Sequence, residues 1–113
     1  SSIEIFVRDV AIDSLGRKVI VAVPNNFLDV SLNDCFVSCY EVHRNDVING
    51  IKNPKRLNIK KISLKVEKID PGRGNFVSHA KHGQTVGFYF SGEGIDDIKK
   101  GLFLRTEETT ILC

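Results

Sequence analysis

From Asn58 to Ile69 the chain alternates apolar and polar residues: Ile62, Leu64 and Val66 against Lys61, Ser63, Lys65 and Glu67. Successive side chains of a strand point to opposite faces, so the pattern predicts a strand with one buried and one wet side. The same two-residue period recurs along the chain. Ile3, Ile5 and Val7 alternate with Glu4, Phe6 and Arg8, and Lys18 to Val23 is a short apolar run rich in β-branched residues. Cys35 to Val42, Thr85 to Phe90 and Gly101 to Arg105 read as further strands. Pro24-Asn25-Asn26, Asn33-Asp34 and Asp70-Pro71-Gly72-Arg73-Gly74 carry the residues of turns. Asn45 to Pro54 reads as an irregular loop. Helical character is confined to one short turn near 95–100, with Asp96 and Asp97 early and Lys99 and Lys100 late, as a helix dipole prefers.

Six or seven short strands joined by turns predict an all-β barrel or sandwich. Closing the sheet removes the exposed edges through which small β domains aggregate. A chain of 113 residues is the length of a single domain, 1–113, and its 42% apolar and 27% charged content is that of a folded globule. No apolar run approaches the roughly 20 residues of a membrane helix, so no membrane partner is expected. Three cysteines cannot form a complete disulfide set, and the reading is a reducing, cytoplasmic location.

The net charge of +2 is unevenly distributed. Residues 1–50 carry 4 basic and 7 acidic side chains, and residues 51–113 carry 12 basic and 7 acidic. The excess gathers in Lys52, Lys55, Arg56, Lys60, Lys61, Lys65 and Lys68, with Arg73 just beyond. These eight are the candidate contacts to RNA or another anionic partner. Nucleic-acid modules add aromatic rings on which bases stack. The row Lys61, Ser63, Lys65, Glu67 has none of its own, although Phe76 and Tyr89 could lie near it in space.

Catalytic and metal constellations are not legible. The chain has no Gly-x-x-x-x-Gly-Lys-Ser/Thr phosphate loop, and the pairs Gly72/Gly74 and Gly92/Gly94 read as turn glycines at positive φ. Cys35, Cys39 and His43 share one face of a strand, but its outer members lie roughly 26 Å apart, too far for one zinc ion. His79 and His82 flank a turn without two further ligands, and Ser78 and Ser91 belong to no nucleophile–base motif. Asp96 and Asp97 are adjacent rather than opposed across a cleft. The reading is a non-enzymatic protein with no cofactor, no metal and no catalytic residues.

Several segments, in order, resemble the β-barrel domain that follows the GTPase domain in translation factors of the elongation factor Tu type. Phe6-Val7-Arg8-Asp9-Val10 is similar to the family's first strand ending in Asp-Val. Leu15-Gly16-Arg17-Lys18-Val19-Ile20-Val21 is similar to its Gly-Arg-Gly-Thr-Val-Val turn and strand. Val30-Ser31-Leu32-Asn33-Asp34-Cys35-Phe36 takes the place of Ile-Lys-Val-Gly-Asp-Glu-Val, and Asn58 to Glu67 that of Val-Lys-Ser-Val-Glu-Met. His79 to Phe88 and Ile95 to Leu104 resemble the closing half. The resemblance spans Ile5 to Arg105 and implies a single closed antiparallel barrel of about six strands.

It implies as function a solitary binding module contacting RNA or the translation machinery. The positions of the family's tRNA pocket fall near Ser63, Lys65 and Val66 and do not keep its residues, so no family binding residue carries over. The turn Val23-Pro24-Asn25-Asn26 also departs from the family pattern, and Arg44 to Arg56 and Asp70 to Asn75 look like expanded loops. Two alternatives stand beside this reading, the first of them drawn from those departures. One is a protein-interaction domain, such as a bacterial immunity or inhibitor protein whose Asp29, Asp34, Glu41 and Asp46 face a basic toxin. The other is an excised domain of a larger translational GTPase.

Overall fold

The computed structural model describes residues 2–109. Eight strands follow one another in the chain: β1 (Glu4–Ile12), β2 (Lys18–Pro24), β3 (Val30–Ser31), β4 (Cys35–Val42), β5 (Arg56–Asp70), β6 (His79–Ala80), β7 (Val86–Glu93) and β8 (Phe103–Arg105). Six of them close an antiparallel barrel in the order β1-β2-β7-β5-β4-β8, with β8 completing the ring against β1. β3 and β6 pair separately as a two-stranded sheet. The all-β closed barrel of six strands is therefore the fold.

The core follows from the alternation. Ile5 and Val7 of β1, Ile20 and Ala22 of β2, Phe36 of β4, Leu64 and Val66 of β5, Val86 and Phe88 of β7 and Leu104 of β8 all point inward. Val30 and Ala80 from the small sheet and Ile98 and Leu102 from the β7–β8 connection complete it. Each Val, Leu, Ile or Phe among them contributes about 1.5–3 kcal/mol when fully buried.

Bulges break the simple pattern at two functionally relevant places. In β5 the register against β7 shifts between Val66 and Lys68. Glu67 and Lys68 consequently both face solvent, and Ile69 returns to the core. In β4 the register shifts between Phe36 and Ser38 and again between Cys39 and Glu41. Phe36 and Cys39 both point inward although three residues apart. Cys35 is exposed while Cys39 is buried, so the expectation that the two thiols share a face is corrected. At both shifts an advance of two residues in β4 matches three in β5, and the alternation of β4 changes face across the first of them.

The segment expected as an irregular loop at Asn45 to Pro54 begins instead with a one-turn helix, α1 (Arg44–Ile48). His43 caps it by accepting the Asn45 N–H on Nδ1 at 3.2 Å, and Asp46 stands in the first turn. One turn is too short to show a 3.6-residue period. The expected helical turn near 95–100 is a 3-10 turn at Ile95–Asp97. The turn after β5 is organised by Asp70, whose Oδ1 accepts the N–H groups of Gly72 and Gly74 at 2.8 and 3.2 Å.

Candidate functional site

β2 and β7 pair through only three residues each, Ile20 to Ala22 against Phe88 to Val86. A groove of about 390 Å³ lies beside this short pairing. It is lined by Arg17, Lys18, Glu67, Lys68, Tyr89, Phe90 and Ile95. Lys18 Nζ spans to Asp96 Oδ1 at 2.5 Å.

Tyr89 forms the wall. Its neighbour Phe88 points into the core, so alternation aims Tyr89 outward, where it faces Lys68 across the β5–β7 ladder. Phe76, on the connection after β5, meets Tyr89 edge to face with ring centroids 6.0 Å apart. Cations cover both rings: the Arg17 guanidinium lies 5.0 Å from the Tyr89 centroid, and Lys68 Nζ lies 5.0 Å from the Phe76 centroid. No carboxylate of the described residues lies within ion-pair distance of Lys68.

The carboxylates of the rim are already engaged. Asp13 accepts from the Leu15 and Arg17 N–H groups, from Arg17 Nε and from the Tyr89 hydroxyl. Chiefly through the Arg17 backbone bond, these hold its pKa down at about 2. The Ser91 hydroxyl, and then Lys65, hold the Glu67 carboxyl below its ordinary range. Lys18 does the same for Asp96. Burial first, then the bond to Asp13, raises the Tyr89 phenol above its ordinary value. The groove thus carries Tyr89 and Phe90 on its lining, with Phe76 edge-on to Tyr89; Arg17 and Lys18 are paired to Asp13 and Asp96, and Lys68 is the cation left facing the rings.

The eight candidate contacts are distributed over the molecule rather than gathered. Lys68 lines the groove, and Arg73 stands exposed in the turn beyond β5 with φ of 57°. Lys61 and Lys65 are exposed on the outer face of β5, with Lys65 Nζ 3.4 Å from Glu67 Oε1. Lys60 joins a different recess of about 340 Å³, with Cys39, Glu41, Asn58, Asp97 and Lys99 among its lining residues, and its Nζ is 3.9 Å from Asp97 Oδ1. Burial pushes the Cys39 thiol up, which leaves it protonated and inert. Lys52 and Lys55 are exposed between α1 and β5, and the Arg56 guanidinium sits 5.0 Å over the Tyr40 ring.

Arg17 and Lys18 are groove residues that the basic segment did not point to. They come from the acidic half of the chain, and the long-range pairing of β2 with β7 brings the β1–β2 turn to Tyr89. No group of three or more possible metal ligands occurs among the described residues. His43 acts as a helix cap, and His79 Nδ1 shares a 2.8 Å hydrogen bond with the Ser78 hydroxyl. Among the described residues no helix is long and apolar enough to cross a membrane.

Comparison of the chain with family models, curated proteins and solved structures finds no match to any of them.

Proposed function

We propose that this barrel is a non-enzymatic binding module whose groove takes single-stranded RNA. The observation that carries the reading is the Phe76–Tyr89 pair, with Lys68 and Arg17 over its rings. Single-strand binders combine aromatic platforms for bases with cations that follow the phosphates. A base entering the groove displaces the flexible Lys68 from Phe76 or stacks on the guanidinium plane of Arg17. The resemblance to the barrel of elongation factor Tu-type proteins supports RNA as the nucleic acid and the translation machinery as its setting. The groove lies on the β2–β7–β5 wall and uses its own residues, consistent with loss of the family's pocket positions.

The test is fluorescence anisotropy of a labelled single-stranded oligonucleotide at low salt. Tyr89→Ala and Phe76→Ala should each weaken binding about tenfold or more, since one base stack is worth about 1–3 kcal/mol. With Arg17 and Lys18 paired to Asp13 and Asp96 and Lys68 left to neutralise phosphate, log K should fall against log salt with a slope of about −0.7. Lys68→Glu should flatten that slope, and Lys52→Glu should leave affinity intact. Absence of binding at low salt, or full affinity in a folded Tyr89→Ala protein, overturns the reading.

A second reading, a protein-interaction domain of the immunity or inhibitor kind, draws on Phe27. Its side chain is 85% exposed, its φ is 66°, and its ring stacks on His82 with centroids 4.5 Å apart. A bulky residue held at positive φ with its ring in water is costly unless something uses it. Stoichiometric capture of a protein that Phe27→Ala abolishes would favour this reading over RNA.

A further inference from the structure

We propose that the tip of the β4–β5 hairpin is a peripheral contact for an anionic lipid surface. Val47 is 54%, Ile48 67% and Ile51 50% exposed, and α1 has no buried residue. Three β-branched aliphatic side chains within five positions thus stand in water. The segment from His43 to Arg56 carries four basic residues, Arg44, Lys52, Lys55 and Arg56, against one acid, Asp46. The next acid along β4, Glu41, is engaged: its Oε2 accepts from Asn58 Nδ2 at 2.7 Å, and its Oε1 lies 3.8 Å from Lys99 Nζ.

Three properties select a lipid surface over other occupants. The apolar residues stand exposed in the connection that leads into β5, the longest strand, and line neither of the two grooves described above. Its four cations to one acid give it a net positive face toward an anionic surface. Its apolar turn is bonded within itself: Val47 N–H bonds to His43 O, Asn49 N–H to Asn45 O, Gly50 N–H to Val47 O and Ile51 N–H to Asp46 O. Insertion among headgroups requires such internal bonding, because unpaired amides are expensive out of water. An apolar tip flanked by cations is complementary to a negatively charged interface.

This contact is distinct from a membrane span. The expectation of no membrane partner rested on span length, and a peripheral tip needs no span. It is also separate from the RNA groove. Arg56 and Lys68 lie at opposite ends of β5, twelve residues and at most roughly 40 Å apart along an extended strand.

The test is co-sedimentation of the whole chain with vesicles of phosphatidylcholine alone and of phosphatidylcholine with phosphatidylserine. Binding is expected only with phosphatidylserine, and it should weaken with added salt. The Ile48→Asp/Ile51→Asp variant should lose it at least tenfold while keeping its circular dichroism and its affinity for RNA. Lys52→Glu and Lys55→Glu should each weaken it by about fivefold or more. Tyr89→Ala should leave it unchanged. No partition into anionic vesicles overturns the proposal, as does equal partition of the Ile48→Asp/Ile51→Asp variant. RNA affinity that falls with Lys52→Glu and Lys55→Glu while vesicle binding holds also overturns it, by assigning those cations to nucleic acid.

Discussion

The Tyr89 hydroxyl donates a 3.0 Å hydrogen bond to Asp13 Oδ2, tying the wall of the groove to the turn between β1 and β2. Seventy-six residues separate the two in the chain. Asp13 is also the organiser of its own turn, because its Oδ1 takes the Leu15 and Arg17 N–H groups at 3.0 and 2.8 Å. One carboxylate therefore shapes the hairpin, orients Arg17 over Tyr89 and fixes the phenol.

Acid should undo this arrangement. The Asp13 pKa falls from an ordinary 3.8 to about 2 in the fold. A depressed carboxylate adds stability that is present above its unfolded value and lost as pH falls through the folded one. The melting temperature should thus decline between about pH 4 and pH 2 in part through Asp13. Asp13→Asn should lower the melting temperature at pH 7 and shallow this acid limb. Parallel melting-temperature curves for the two proteins, recorded by circular dichroism from pH 7 to pH 2, would refute the assignment.

Alkali should meet the opposite sign. Burial, then the hydrogen bond to Glu4, raises the Tyr40 phenol, and burial with the bond to Asp13 raises Tyr89. A phenol with a raised folded pKa stabilises the fold at neutral pH, and that contribution is lost as pH climbs past its unfolded value of about 10. The chain has two tyrosines and no tryptophan, so absorbance near 295 nm reports on these two groups alone. Phenolate should appear later than in free tyrosine. Tyr89→Phe should leave the later of the two steps, that of Tyr40. A native-state titration with both groups ionising near 10 would show the buried placement of Tyr40 to be wrong.

The alternation of Ile62, Leu64 and Val66 with Lys61, Ser63 and Lys65 was legible because it is local, a property of one pleated segment with one wet face. From it and its repeats the all-β class follows. What lay beyond the sequence was set by partners elsewhere in the chain. The bulge between Val66 and Lys68 depends on the register with β7 and leaves no mark on the composition of β5. The same register places Tyr89 opposite Lys68, while Phe76 reaches Tyr89 from a connection with no period at all. Arg17 is one cation in an acidic half, and the pairing of β2 with β7 makes it a groove residue. Helix α1 escaped because its single turn is specified by a histidine cap, a less common signal than Ser, Thr, Asp or Asn.

Gly92 illustrates a glycine whose role was misread as a turn. It lies within β7 opposite Leu64, and a Cβ there would stand 1.9 Å from the Ser63 carbonyl oxygen. Its φ of 120° adds a conformation that L side chains rarely adopt. Gly92→Ala should therefore cost about 3 kcal/mol or more, from overlap and backbone strain together. Gly16, at φ of 79° with nothing within 4 Å of its Cβ position, carries only the conformational term. Gly16→Ala should cost about 1–2 kcal/mol. Urea unfolding of the two variants checks the difference, and equal midpoints would contradict the close approach of β5 and β7.

The two thiols of β4 provide a direct probe of its bulges. In a regular strand Cys35 and Cys39 would face the same side and react alike. The register shifts on either side of Ser38 and Cys39 turn Cys39 into the core at 1% exposure and leave Cys35 in water. Burial raises the Cys39 thiol, and the thiolate is the reactive form, so its protection is chemical as well as steric. In a Cys113→Ala background, which removes the cysteine outside the described residues, a thiol reagent at neutral pH should modify one group in the native state and two after unfolding. Cys35→Ser should abolish the native reaction, and Cys39→Ser should leave it intact. Rapid native labelling of both thiols would mean that β4 runs without its bulges, and would return Cys39 to the outer face.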